Sequence, residues 1–205
     1  MRPEIVVSIP VKASDPEMPA GKYIPEFRLD YLPPSEIESF LSKKNYSSKS
    51  IVTVRDASEG GFYKGDIEYK LGLLGRCHSE FLDVEYAHLD KVRENMLFGK
   101  TVIFSVHDFR NEIEPSRIID MVESLPDKGC MLKVAMKMKD PKDYLELATL
   151  YSGRLLIIDL NSLPNRILFS IISGTYLYTY FRESLAESQP RFDMAERILN
   201  GIFRK

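Results

Sequence analysis

Lys133 interrupts the apolar run Met131-Leu132-Lys133-Val134-Ala135-Met136. Its side chain must either reach solvent along its stem or stay desolvated among partners. Desolvation and neighbouring cations favour the neutral amine, the nucleophilic form, which adds to a ketone or aldehyde to give an imine. Once protonated, an imine accepts the electron pair left when a proton departs from the adjacent carbon. Lys137 and Lys139 share the parity of Lys133 but lie nearer the end of the run, where they are expected to stay hydrated. His107 follows another apolar run and suits general acid–base work near neutral pH. Arg28, Arg55 and Arg166 follow or end three further runs, and their forked N–H donors suit a carboxylate on the substrate.

Several of these residues also admit plainer readings. Glu26, Arg28 and Asp30 alternate onto one face of a strand, and Glu26 with Arg28 reads equally as a structural ion pair. Glu59 stands in a loop before Gly60-Gly61. Asp83 and Glu85, at the end of another strand, read as helix caps, arginine partners or substrate contacts. Tyr176, Tyr178 and Tyr180 read most simply as packing. Metal chemistry is the weaker alternative, because His78, His88 and His107 lack ligand spacing and Asp83 with Glu85 makes a poor magnesium cage.

These residues need elements to carry them. Eight short apolar runs recur at 5–9, 24–31, 51–55, 81–85, 101–106, 130–136, 155–159 and 175–180, as expected for strands buried on both faces. Segments of helical period lie between them. Ile37, Phe40 and Leu41 share a face, as do Ile67, Leu71 and Leu74, and Ile118, Met121, Val122 and Leu125. Further helices are expected near 140–148, 164–171 and 192–203, with a shorter one after Tyr86. The alternation predicts a single α/β domain over residues 1–205, a compact (β/α)8 TIM barrel of roughly 26 residues per unit. An open doubly wound sheet is the competing architecture, but no glycine-rich phosphate turn follows the first strand. In such a barrel the site lies at the carboxyl ends of the strands, where the charged residues cluster.

The composition narrows the class. With 28 basic and 30 acidic residues, the net charge of −2 argues against sequence-blind nucleic-acid binding. The longest uncharged stretch, 167–181, is short for a bilayer span and contains Gly174. No secretory signal is expected, and Cys77 with Cys130 reads as a pair of reduced thiols in a cytoplasmic protein.

Taken in order, the motifs resemble the type I 3-dehydroquinate dehydratases, the Schiff-base class of the shikimate pathway. The likeness runs through Val7-Ser8, Glu26-Phe27-Arg28-Leu29-Asp30, Thr53-Val54-Arg55 with Glu59-Gly60-Gly61, and Asp83-Val84-Glu85. It continues with Ser105-Val106-His107-Asp108-Phe109, Lys133-Val134-Ala135, Asn165-Arg166 and Gly174–Tyr180. The resemblance implies dehydration of 3-dehydroquinate to 3-dehydroshikimate, the third step toward chorismate and the aromatic amino acids, without metal or organic cofactor. It assigns the imine to Lys133, proton transfer to His107 and the orienting of His107 to Glu59. It places Ser8, Glu26, Arg28, Arg55, Arg166 and Gln189 around the substrate, with Arg166 on its carboxylate, and it implies a homodimer. The loop at 181–191 departs from the family pattern of a serine or threonine four residues before a glutamine: Leu185 stands four before Gln189, and the Ala-Pro-Gly that usually precedes the glutamine is missing. The rival activities are a class I aldolase acting on a keto acid and a barrel that has lost catalysis.

Overall fold

The apolar runs are short and most are rich in β-branched or aromatic residues, and all eight become strands. The computed structural model describes residues 1–12, 16–42, 48–92, 99–110, 112–126 and 129–204. The strands are β1 (Glu4–Pro10), β2 (Ile24–Arg28), β3 (Ile51–Thr53), β4 (Phe81–Glu85), β5 (Thr101–Asp108), β6 (Cys130–Met136), β7 (Leu155–Asp159) and β8 (Tyr176–Tyr180). They form one parallel sheet in the order β7-β6-β5-β4-β3-β2-β1-β8, and β8 returns to lie beside β1 with Val6 opposite Tyr178. The result is a nearly closed TIM barrel. Its one seam runs between β7 and β8, which no hydrogen-bonded register joins among the described residues.

Among the described residues six α-helices cover the outside: α1 (Pro34–Ser42), α2 (Ile67–Arg76), α3 (Pro115–Glu123), α4 (Lys142–Leu150), α5 (Leu163–Ser173) and α6 (Phe192–Ile202). Between β4 and β5 the described residues hold a 3-10 helix, Tyr86–Lys91, where the sequence predicts a shorter helix. Local chemistry fixes where helices start. Asp66 accepts a hydrogen bond from the Tyr69 N–H at 2.8 Å, Ser162 caps α5 through the Asn165 N–H, and Pro115 fills the first turn of α3. Each helix lays an apolar stripe on the sheet, as Ile118, Met121 and Val122 do from α3.

Alternation along the strands sorts the barrel interior into layers. Val6, Ile24, Ile51, Ile103, Met131 and Leu156 form an apolar floor. Fully burying one such side chain contributes about 1.5–3 kcal/mol, so this floor is a firm base. Two residues further along the same strands stand Ser8, Glu26, Thr53, Ser105, Lys133 and Ile158, with Asp83 and Tyr178 completing the ring from β4 and β8. The polar layer is thus set directly on the apolar one.

Three strand ends differ by two residues or more from the sequence expectation. β2 stops at Arg28, and Leu29–Tyr31 turns into a 3-10 helix that brings the Asp30 carboxylate back onto the Arg28 guanidinium. β3 stops at Thr53, leaving Arg55 in the connection that follows. β5 runs on to Asp108, so that His107 lies within a strand.

Candidate active site

Lys133, on β6, pairs in register with Ser105 of β5, and His107 pairs with Ala135 one step nearer the mouth. Only 3% of Lys133 is exposed. Its ammonium donates to Asp83, lies 3.9 Å from a Glu26 oxygen and sits over the Tyr178 ring, 4.7 Å from its centroid. The sequence pictured this lysine among apolar neighbours and cations. Its immediate partners are carboxylates from β4 and β2, which apolar strands deliver at the inward parity.

Asp83 is the hub of the polar layer. Its other oxygen accepts from Arg55 at 2.6 Å and from the Ser105 hydroxyl at 2.7 Å. Burial pushes this carboxyl up, yet Arg55 and Lys133 outweigh it and hold Asp83 well below the usual carboxylate range. Glu26 accepts from Ser8 at 2.5 Å and from Thr53 at 3.0 Å, so both its oxygens are engaged from neighbouring strands.

His107 meets Glu59 at 3.0 Å through Nδ1, leaving Nε2 as the other ring nitrogen. Burial is the main force that lowers the imidazole well below its ordinary value, with Arg55 and Lys133 adding to it. Burial also lifts Glu59 to about 7, against the pull of Arg55 and with help from Glu85 and Asp83. The tight loop that carries Glu59 explains Gly60-Gly61. Gly60 adopts a φ of 78°, and a Cβ on Gly61 would fall 2.1 Å from the Arg55 carbonyl oxygen.

The three arginines are not equivalent. Arg28 is held by Asp30 through two hydrogen bonds of 2.9 Å, and Arg55 is engaged by Asp83, Ser105 and Glu85. Arg166, on α5, is 3% exposed, and its side chain makes no hydrogen bond or ion pair among the described residues; its Nε is buried without a partner. Burial lowers this guanidinium to about 10, countered in part by Asp159. An unpaired, buried cation facing a cavity is an anion receptor in waiting. Gln189 donates to the Thr179 carbonyl at 2.9 Å and to Ser8 at 3.4 Å, and accepts from the Leu185 N–H at 3.0 Å.

One cavity at the mouth gathers all nine residues singled out in the sequence: Ser8, Glu26, Arg28, Arg55, Glu59, His107, Lys133, Arg166 and Gln189. Two features escaped sequence reasoning. Tyr178 belongs to the cavity wall rather than to packing alone, as its parity with Tyr176 on an inward-facing strand could have indicated. Beyond the cavity, Lys70 of α2 is wholly buried, donating to Asp56 at 2.6 Å and Glu85 at 2.5 Å, while His88 reaches Asp56 at 2.6 Å. Its position between Ile67 and Leu74 on the apolar face of α2 was the available signal. Asp56, Glu85 and His88 offer atoms close enough for a metal ion, but the Lys70 ammonium already bonds to both carboxylates and stands where a cation would.

Comparison with known proteins identifies what the chain is similar to. Residues 17–155 match the family model described as Type I 3-dehydroquinase. The 3-dehydroquinate dehydratase of Saccharolobus solfataricus is 28% identical over 215 residues, covering 98% of this chain and 96% of that protein. That of Methanococcus maripaludis strain S2 is 32% identical over 147 residues, 66% of each chain. Among solved structures, the type I 3-dehydroquinate dehydratase of Clostridium difficile with covalently modified comenic acid superposes with a TM-score of 0.79 at 21% identity, covering 98% of this chain and 92% of that one. The Aquifex aeolicus enzyme gives 0.77 at 20% identity, covering 98% and 100%.

Proposed function

The chain belongs to the type I 3-dehydroquinase family and is a 3-dehydroquinate dehydratase, a hydro-lyase of the shikimate pathway; from that premise we propose how its side chains divide the work. Lys133 attacks the substrate ketone, and the resulting carbinolamine loses its oxygen as water to give a protonated imine. His107 removes the proton from the adjacent carbon, and the electron pair moves into the imine as an enamine. The enamine then expels the neighbouring hydroxyl, which leaves as water with the proton His107 returns. Hydrolysis of the conjugated imine releases 3-dehydroshikimate and restores Lys133.

The charge on each partner supports this division. When Glu59 is ionised it accepts the Nδ1 proton of His107, which leaves the Nε2 lone pair as the base. A buried imidazole that stays neutral is ready to take a proton, and Asp83, held ionised, is a poor competitor for it. Arg166 binds the substrate carboxylate, being the one site arginine without a carboxylate partner of its own among the described residues. Ser8, Glu26, Arg28, Arg55 and Gln189 line the space left for the hydroxyls. The exposed Leu168 on α5 supports a homodimer contact, and the free thiols of Cys77 and Cys130 support a cytoplasmic setting.

The observation that carries the mechanism is the Lys133 amine, buried in the cavity that also holds His107, Glu59 and Arg166. Borohydride reduction in the presence of 3-dehydroquinate, followed by peptide mapping, should fix the substrate mass on Lys133. An adduct on another lysine, or none while ultraviolet absorbance of the conjugated product still rises, would remove Lys133 from this role.

A further inference from the structure

Tyr178 is the residue of the cavity wall that the mechanism has left unused. Its side chain points inward from β8, its ring lies under the Lys133 nitrogen at 4.7 Å, and its hydroxyl is buried without a hydrogen-bond partner among the described residues. The neighbouring hydroxyls of the same layer are all engaged: Ser8 and Thr53 with Glu26, and Ser105 with Asp83. A buried phenol is normally hydrogen-bonded, so one without a partner among the described residues, on a side chain that lines the cavity, marks a position that a bound molecule completes.

We propose that Tyr178 is a further catalytic and specificity residue, its ring face stabilising the cationic imine and its hydroxyl donating to an uncharged oxygen of the substrate ring. This rests on the assignment of the imine to Lys133. The ring has a task that the carboxylates cannot take over. An ammonium offers three N–H donors, and the protonated imine formed from it keeps one. The planar imine fixes where that one N–H points, so the Asp83 hydrogen bond is no longer met by whichever of three donors lies nearest, while the attraction between a cation and an aromatic face does not depend on N–H direction. The hydroxyl is directed to a neutral oxygen because Glu26 and Asp83 already supply negative charge beside it, and burial keeps the phenol protonated. Arg166 is left to the carboxylate.

The test compares Tyr178→Phe with Tyr178→Leu, measuring kcat, KM and the yield of borohydride-trapped Lys133 adduct, with thermal melting to establish that each variant is folded. Y178F keeps the ring and should raise KM about tenfold, with a smaller loss in kcat. Y178L removes the ring and should lower kcat at least tenfold together with the adduct yield. Wild-type KM in Y178F overturns the hydroxyl contact, and wild-type kcat and adduct yield in a folded Y178L overturn the role of the ring. If Y178L does not fold, the near-isosteric Y178F still decides the hydroxyl, and Tyr178→Met repeats the ring measurement. Failure to trap any adduct on Lys133 in the unaltered enzyme overturns the underlying imine assignment, and this proposal with it.

Discussion

Two lysines are buried in this barrel with matching surroundings. Lys133 has Asp83 and Glu26 as neighbours and Tyr178 beneath it; Lys70 has Asp56 and Glu85 as neighbours and the Tyr63 ring at 5.7 Å. Both are held by carboxylates from separate elements. The difference lies in what each leaves open. Lys133 borders a cavity that also holds an imidazole and, among the described residues, an unpaired guanidinium and an unpartnered phenol, whereas Lys70 is closed in, with 0% of its surface exposed. Burial and charge alone do not make a nucleophile. Access and an incomplete set of partners do.

The largest expected effect separates the two directly. Lys133→Ala should cut turnover by at least about 10³-fold, with Arg55 still neutralising Asp83, so that the fold survives in circular dichroism. Lys70→Ala should do the reverse. It strands Asp56 and Glu85 in the interior and should cost about 3–5 kcal/mol in denaturant unfolding, while the folded fraction still forms the Lys133 adduct. A stable Lys70→Ala protein that forms no adduct would erase the distinction between the lysines.

Arg166→Gln comes next. Loss of the free cation should raise KM by about 10- to 100-fold, on the order of 1.5–3 kcal/mol for a charged hydrogen bond, with kcat changed less. Because this arginine has no internal partner among the described residues, its loss should not destabilise the fold, and a lowered melting temperature without a KM effect would make it structural.

The smallest effect is a pair of opposed pH slopes. Glu59 is lifted from about 4.5 to about 7, so the native state holds its proton longer and stability from this group falls as pH rises through that window. His107 is lowered from about 6.5, so the unfolded chain binds its proton first and stability from this group is lost as pH falls below that value. Chemical unfolding between pH 5 and 7.5 should therefore tilt in opposite senses, relative to the unaltered protein, in Glu59→Gln and His107→Asn. Parallel slopes would break the assignment.

The sequence made the strands, the inward parity of Lys133 and the membership of the cavity legible, because those follow from short apolar runs and a period of two. What it hid was pairing across distance. The partners that occupy Arg55 lie 28 and 30 residues away at Asp83 and Glu85, and those of Lys70 lie 14 and 15 away, so no local pattern shows which cation is spoken for. Asp30 is the local exception. Leu29 and Tyr31 extend the apolar run as a strand would, and only the 3-10 turn, stabilised by the Arg28–Asp30 pair and by the Phe62 N–H donating to Asp30 at 3.3 Å, ends it.

The seam between β7 and β8 gives the barrel two free strand edges, with carbonyls to be satisfied from elsewhere. The 181–191 connection does so, with Ser188 donating to the Asp159 carbonyl at 2.6 Å and Gln189 to that of Thr179. One segment thus serves as both doorway and buckle: any shift of it that widens the entrance also unfastens the wall. The Tyr180 amide, which donates to the Pro190 carbonyl at 3.0 Å, belongs to the same fastening, and its exchange rate is the gauge of how often that segment lifts.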